Sequence, residues 1–343
     1  MTAMRVAVGF SGGRDSTAAS ILLKKQGHVV ETITLRLGAP GEDERLTASA
    51  RLAEKIGVSH RVVDARDEFA RRVINPFLEA YAAGITPNPC VACNARVKFE
   101  LLMDTALENG ADIFATGHYA RLEREGARLL LAEPREKKKS QIYFLAMVEP
   151  ERMQRVCFPL HDTTLDQVHG LTRYLPLAGE KSSQDVCFLG KQPLETYLRA
   201  MIPDAFQPGP IKDTRGEEIA SHLGVAAVTI GQRRGLGYAA GKPLYVVAKD
   251  MIRNAVILGE EKELEKEQIL ATTPNYWRKL EVGEKMSVRI RYASPPFRAV
   301  ITRADAAAIE ARFYAPVMAL TPGQLAVFYQ EKRVVAAGII SLR

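Results

Sequence analysis

Two things are scarce in this chain of 343 residues: cysteine, of which there are four, and long apolar stretches. No run approaches the roughly 20 apolar residues that a membrane-spanning helix needs, so a helical membrane protein is excluded and no membrane partner is expected. From Met4 to Val8 the N-terminal region moves straight into a strand pattern without the apolar core of an export signal, and the expectation is a cytoplasmic protein. In that reducing compartment structural disulfides are not expected, which leaves chemistry, metal binding or plain burial to explain Cys90, Cys93, Cys157 and Cys187. Internal repeats and low-complexity segments are also lacking. The length exceeds one typical core and predicts two or three domains. Composition is that of an ordinary globular protein, 47% hydrophobic and 25% charged.

Acidic residues are outnumbered: 47 Lys and Arg face 40 Asp and Glu, a formal charge of +7. Such an excess favours a polyanionic partner without requiring one. Basic residues cluster in Arg135-Glu136-Lys137-Lys138-Lys139 and in Gln232-Arg233-Arg234. A charge run is ordinarily a solvated face, so these clusters need a second argument.

What is present is a glycine loop. After the apolar Met4–Val8 the chain reads Gly9-Phe10-Ser11-Gly12-Gly13-Arg14-Asp15-Ser16-Thr17 and then turns helical in pattern. Adjacent glycines let a turn aim N–H groups at an anion, and the following helix adds the positive end of its dipole. Ser11, Ser16 and Thr17 bring hydroxyl donors, and Asp15 is a candidate to hold a magnesium ion bridging phosphates. The run fits neither a Walker A loop nor the dinucleotide fingerprint. It resembles the Ser-Gly-Gly-x-Asp-Ser loop of the PP-loop ATP pyrophosphatases, which bind ATP, adenylate an oxygen of a second substrate and release pyrophosphate. The bland alternative is an ordinary glycine turn between strand and helix.

Residues 4–9 read as a strand, 15–26 as a helix stopped by Gly27, 29–37 as a strand, 47–56 as a helix stopped by Gly57, and 60–64 as a short strand. This alternation predicts an α/β fold with a doubly wound parallel sheet, its phosphate loop at the carboxyl end of a strand where such sheets bind ligands. A helix over 95–109 follows the loop Thr86-Pro87-Asn88-Pro89, and 113–118 reads as a buried strand. Further strand-like runs fall at 128–132 and 186–189. Beyond Ile202 short apolar alternations dominate, at 226–230, 244–248, 255–258, 285–292, 298–302, 307–313, 326–328 and 334–341. We therefore expect an ATP-binding catalytic domain over 1–203, a small β-rich central domain over 204–266 and a C-terminal β-barrel over 267–343.

Cys90 and Cys93 sit in a loop just before a helix, where a helix N-terminus lowers a thiol pKa and favours the nucleophilic thiolate. Cys187 lies in Ser183-Gln184-Asp185-Val186-Cys187-Phe188, where Gln184 and Asp185 give an otherwise apolar strand a polar edge. A Cys-x-x-Cys pair has several meanings: half a zinc site, a redox dithiol, part of an iron–sulfur site, or a catalytic thiol. The lack of a second such pair weakens zinc. Cys90, Cys93 and Cys187 remain chemically suitable as three iron–sulfur ligands. Cys157 reads as core packing. An ATP-activating loop beside separated thiols suggests sulfur transfer, in which one cysteine carries sulfur as a persulfide and another resolves it.

Six segments together resemble the bacterial tRNA-specific 2-thiouridylase family: Ser11–Ser16, Gly84–Asn94, Ala115–Arg121, Gln141–Leu145, Ser183–Leu189 and Thr229–Gly237. The resemblance implies a PP-loop domain of the adenine nucleotide alpha hydrolase type, a small central domain and a C-terminal β-barrel that contacts tRNA. It implies ATP at Gly9, Phe10, Ser11, Gly12, Gly13, Arg14, Asp15, Ser16, Leu35 and Gly117. Cys93 is implied as the nucleophile and Cys187 as the persulfide carrier. Asn88, Pro89 and Cys90 are implied near the target base, with His118, Lys139, Ser140, Gln141, Arg291, Tyr292 and Gln324 at tRNA contacts. This gives the Lys137–Lys139 run its second argument. The implied activity is ATP-dependent thiolation of tRNA uridine 34 at C2, with Mg2+, a persulfide-donating partner protein and a monomeric enzyme.

The chain departs from the family pattern in placing Arg14 where a small apolar residue is usual and Ser140 where an aspartate is usual. The acidic segment after the second strand is shortened to residues 38–44, and Val335-Ala336-Ala337-Gly338 replaces a cysteine- and glycine-rich stretch. Two rival readings remain. One is a PP-loop sulfurtransferase acting on another RNA base or a small molecule, with an iron–sulfur cluster; an absorbance scan after anaerobic purification separates it. The other is a non-catalytic RNA-binding paralogue, against which stand Ser11, Gly12, Gly13, Asp15 and both key cysteines.

Overall fold

In the computed structural model, which describes residues 2–178, 186–238 and 241–342, the alternating pattern at the N-terminus becomes a parallel sheet. The Ser183-Gln184-Asp185 part of the sulfur-carrier motif lies outside the described residues. The chain divides into two compact units. The first takes in residues up to Val73, Cys90–Gly190 and Lys332–Val335; the second takes in Ile74–Pro89, Lys191–Glu331 and the residues from Ala336 onward.

Strands of the first unit are, in chain order, β1 (Arg5–Gly9), β2 (Val29–Arg36), β3 (Ser59–Asp64), β4 (Ile113–Thr116), the hairpin β5 (Arg121–Glu125) and β6 (Arg128–Ala132), and the short β7 (Val156–Cys157). Five of them align as β3-β2-β1-β4-β7, every pair parallel. Val6, Ala7 and Val8 of β1, Ile33 of β2, and Phe114 and Ala115 of β4 are buried. A parallel sheet covered on both faces needs such unbroken apolar runs. Helix α1 (Arg14–Lys25) connects β1 to β2, and α2 (Glu42–Ile56) connects β2 to β3 and ends on Gly57 at φ 68°. The order reverses between β1 and β4, so the carboxyl ends of these two strands flank the crevice where open α/β sheets bind ligands.

A helical run over 89–108 precedes β4. It opens as a short α-segment (Pro89–Ala92), widens to π pitch over Cys93–Leu102 and closes as α over Met103–Glu108. The helix predicted over 95–109 therefore starts six residues earlier and contains both cysteines of the pair.

The second unit holds two β-structures. β8 (Gly209–Asp213), β9 (Glu218–His222), β10 (Tyr245–Asp250) and β11 (Ala255–Gly259) form a sheet in the order β10-β11-β8-β9 around Ile211, Val246, Val256 and Leu258. β12 (Glu265–Tyr276), β13 (Lys285–Arg289), β14 (Phe297–Ala304), β15 (Ala308–Met318), β16 (Leu325–Gln330) and β17 (Arg333–Ser341) run β12-β15-β14-β13-β16-β17, and β12 pairs back onto β17. The result is a closed six-stranded barrel.

Two expected strands are corrected. Residues 186–189 hold a 3-10 turn at Cys187–Leu189, which buries Phe188 edge-on against Phe69 with ring centroids 5.9 Å apart. Residues 226–230 are likewise no strand: a 3-10 turn spans Val225–Ala227, and Val225, Val228 and Ile230 fill the core of the four-stranded sheet. Both runs are apolar because they plug a core, not because they join a ladder.

Candidate active site

The exit of β1 is tied to β2 before the glycine loop begins. Phe10 N–H donates to Ile33 O at 2.8 Å, and Thr34 Oγ1 donates to Phe10 O at 2.5 Å. Gly12 then takes φ 70°, and its carbonyl accepts from Ala178 N–H at 2.9 Å. A β-carbon on Gly12 would collide with Ser49 Oγ and Ala178 Cβ, so this position excludes side chains on conformation and on space alike. Ser16 Oγ donates to Gly13 O at 3.1 Å and accepts from Ser11 N–H at 3.3 Å, while Thr17 Oγ1 donates to Gly13 O at 2.8 Å. Gly13 caps α1 without a side-chain acceptor, which leaves the first turn's N–H groups as the anion-facing feature of the loop.

Gly117 approaches from β4. A β-carbon there would stand 2.6 Å from Ser16 N, 2.7 Å from Asp15 C and 2.9 Å from Asp15 O, all main-chain atoms. The structure thus brings the first turn of α1 and Gly117 together across the crevice. A β-carbon would fill the space beside that turn, and the donors and the cradle suit a polyphosphate. Leu35 is half-buried near the end of β2, and Arg14 is the half-buried first residue of α1.

Asp15 has partners that were not foreseen. Tyr119 OH donates to Asp15 Oδ1 at 3.1 Å, and Lys139 Nζ stands 3.8 Å from Asp15 Oδ2. Gln141 grips the Tyr119 backbone twice: its Oε1 accepts from Tyr119 N–H at 3.0 Å, and its N–H donates to Tyr119 O at 2.9 Å. Lys139 therefore reaches the glycine loop directly and Gln141 reaches it through Tyr119, and Ser140 sits between them with its N–H on Lys137 O at 3.1 Å. His118 is buried, its Nδ1 2.8 Å from Thr116 Oγ1 and its ring beside Phe99 and Phe158. That is the setting of a packing residue. Burial lowers its pKa well below the ordinary value, and Lys98 adds to the effect.

The thiols behave differently from the expectation of a lowered pKa. Burial pushes Cys93 up to about 12, and raises Cys90 and Cys187 as well. Desolvation of the thiolate outweighs the helix terminus. In all three, the Lys98 ammonium pulls the other way, and the thiols raise one another: Cys187 acts on Cys90 and Cys93, and Cys90 on Cys93. Cys187 has further support from its own N–H, that of Phe188, and Arg45. As a whole residue Cys187 is the most exposed of the three, although enough protein surrounds its thiol to disfavour the thiolate; Cys90 and Cys93 are half-buried. Among the described residues no group of three or more His, Cys, Asp or Glu side chains is gathered to hold a metal ion, so Cys90, Cys93 and Cys187 are not assembled as an iron–sulfur ligand set. Cys157 packs beside Val6, Val8 and Leu23, as expected of a core residue.

Lys98 escaped sequence reasoning for a geometric reason. Five positions along an ordinary α-helix turn a residue ~140° away from Cys93. The π pitch of Cys93–Leu102, with its i to i+5 bonding, returns that position to the cysteine's side.

The remaining candidates lie in the second unit. Arg291 donates to Ile230 O and Ala319 O at 3.4 Å each and to Thr321 Oγ1. Gln324 Nε2 donates to Thr86 O at 2.8 Å, two residues before Asn88 and three before Pro89. Tyr292 follows Arg291 and is half-buried.

Residues 4–191 match the family described as tRNA methyl transferase HUP domain, 195–260 its PRC-barrel domain, and 266–340 the aminomethyltransferase beta-barrel domain. Among curated proteins the chain is similar to the tRNA-specific 2-thiouridylase MnmA of Desulforudis audaxviator, 40% identical over 344 residues and covering 98% of both chains. The protein of the same description from Moorella thermoacetica is 39% identical over 350 residues, covering 97% of this chain and 98% of its own. That from Pelobacter propionicus is 39% identical over 348 residues, with 98% of both chains covered. Identity at this level along nearly the whole length, on a fold whose glycine loop and thiols stand as described, makes this chain a member of the tRNA-specific 2-thiouridylase family.

Proposed function

We propose that the protein is an ATP-dependent tRNA uridine 2-sulfurtransferase acting at uridine 34. The observation that carries this reading is that one compact unit holds both an anion-binding glycine loop at the sheet's switch point and thiols that share the Lys98 ammonium. ATP would lie along Gly9–Ser16, Leu35 and Gly117, and Asp15 would help hold a Mg2+ ion that would neutralise phosphate charge. The O2 of an unpaired, extracted uridine attacks the α-phosphorus, and pyrophosphate leaves with its charge on the N–H groups of the α1 first turn. The outer sulfur of a persulfide on Cys187 then attacks C2, and AMP departs. Cys93 attacks Cys187 Sγ; a Cys93–Cys187 disulfide forms, and the sulfur stays on the base with the electron pair of the broken S–S bond. A thiol reductant restores both cysteines before the next turnover. Burial disfavours the Cys93 thiolate, and the Lys98 charge is the neighbour that favours it.

On this reading residues 1–203 catalyse, 204–266 form the central domain, and 267–343 contact tRNA through Arg291, Tyr292 and Gln324. Asn88 to Cys90 stand near the target base, and Lys137–Lys139 meet the tRNA backbone. The enzyme acts as a monomer and takes sulfur from a persulfide-bearing protein. The test is pyrophosphate release with and without tRNA and a persulfide donor, followed by nucleoside analysis. Stimulated release with 2-thiouridine formed is the expected result; tRNA binding with neither product overturns it.

A further inference from the structure

Asp15 belongs to the glycine loop, yet its geometry is set by residues 104 and 124 positions away. Oδ1 receives the Tyr119 hydroxyl at 3.1 Å. The Tyr119 side chain has no freedom to follow a moving carboxylate, because it is fully buried and packs with Ala18, Ala19, Leu160 and Val168. Its backbone is held on both sides by Gln141. Oδ2 has a different neighbour. Lys139 Nζ lies 3.8 Å away, beyond hydrogen-bond length, and 6.0 Å from the centroid of the Tyr119 ring. Lys139 is the last residue of a three-residue turn and its side chain is 41% exposed, so this contact is the weak, removable kind.

The two oxygens are thus held unequally, one by a rigid hydroxyl and the other by a loose ammonium. Magnesium tolerates little error in ligand direction, since it demands near-octahedral geometry. Resting on the reading that the loop binds Mg·ATP, we propose that Tyr119 is the positioning residue that aims Asp15 at the nucleotide's magnesium, and that Lys139 is a stand-in cation on Oδ2 which yields when the metal arrives. The basic run to which Lys139 belongs gives that ammonium an alternative partner in a polyanion, so occupancy of one site loosens the other's hold on Lys139.

The experiment is equilibrium binding of a fluorescent ATP analogue across a Mg2+ titration, for wild type, Tyr119→Phe, Lys139→Met, Asp15→Asn and the Asp15→Asn/Tyr119→Phe double variant. Tyr119→Phe should raise the Mg2+ concentration at half-saturation about 10-fold, the expected loss of one hydrogen bond to a charged group. Lys139→Met should lower it. Metal-free nucleotide binding by Tyr119→Phe should match wild type, and the Tyr119 change should add nothing in the Asp15→Asn background. An unchanged Mg2+ half-point in Tyr119→Phe, or Tyr119→Phe and Lys139→Met moving it in the same direction, overturns the proposal. Lys139→Met tests it on a surface position should Tyr119→Phe fold poorly. Wild type that shows no Mg2+-dependent nucleotide binding overturns the nucleotide reading and this proposal with it; wild type that binds beside an unaltered Tyr119→Phe overturns this proposal alone.

Discussion

Replacing Gly117 with alanine adds one methyl group and should separate nucleotide binding from folding. The new β-carbon would lie 2.6 Å from Ser16 N, where ordinary contact begins at 3.4 Å. The shortfall of about 0.8 Å cannot be relieved by a side-chain rotation, because the obstructing atoms are main chain, and overpacking of this kind costs about 1–3 kcal/mol. Either β4's exit or the first turn of α1 must retreat. Both movements displace the N–H groups that face the phosphates. Losing one hydrogen bond to a charged group removes about 1.5–3 kcal/mol, so ATP affinity should fall about 10- to 100-fold. The assay is equilibrium binding of ATP alongside urea denaturation of the same samples. Gly170→Ala is the control: it lies in the helix Leu165–Thr172 with nothing within 4 Å of the added carbon, and it should gain about 0.5–1 kcal/mol with unaltered ATP binding. A Gly117→Ala protein that binds ATP as wild type does would refute the claim that this close approach shapes the cradle.

Cys187→Ser should abolish 2-thiouridine formation while tRNA affinity by filter binding stays unchanged; normal thiolation by the variant would remove Cys187 from the reaction. The Cys93 thiol, near 12, should react with iodoacetamide at pH 7.5 about a thousandfold more slowly than an ordinary cysteine, and Lys98→Met should slow it further. A peptide-mapped alkylation rate at Cys93 equal to that of free cysteine contradicts this. His60 and His118 are both shifted downward by burial, so the unfolded chain takes up protons first as pH falls below about 6.5. Stability should therefore decline from there until the folded-state values are reached and be flat above; equal urea midpoints at pH 7.5 and 5.5 would count against it. If the basic runs meet tRNA, its affinity should fall linearly on a logarithmic salt scale, and neutralising Lys137 and Lys138 should flatten that slope.

How far the sequence carried the reading differed from element to element. The glycine loop was legible because every part of it is local: an apolar strand, two glycines and a helix with no side-chain cap, all within Arg5–Lys25. The thiols were legible as residues but not as an environment. A dipole argument sees only the helix terminus beside Cys90 and Cys93, whereas the dominant influence, desolvation, comes from what packs around them. Tyr119 and Asp15 are 104 residues apart, and no local rule links a tyrosine after β4 to a carboxylate after β1. Short apolar runs were the weakest ground. The stretches at 186–189 and 226–230 have strand-like composition, but each holds a 3-10 turn and puts its apolar side chains into a core, Phe188 against Phe69 and Val228 and Ile230 in the four-stranded sheet. β8, β9 and the start of β12 are illegible for the converse reason: β8 and β9 are short and mix polar with apolar residues around the buried Ile211 and His222, and Glu265-Lys266-Glu267-Gln268 is polar and exposed.

The final strand has a consequence for how the protein is made. β17 contributes residues 333–335 to the first unit, where Arg333 and Val334 pair with β6, and its residues from Ala336 onward to the second, where they close the barrel on β12. During synthesis, therefore, neither unit can be finished when its own bulk has left the ribosome. A nascent or truncated chain that stops before Lys332 leaves β12 and β16 with unpaired ladders, the kind of edge that recruits other chains. Emergence of β17 supplies the missing partner of β6 in one unit and of β12 in the other, so one strand completes both halves.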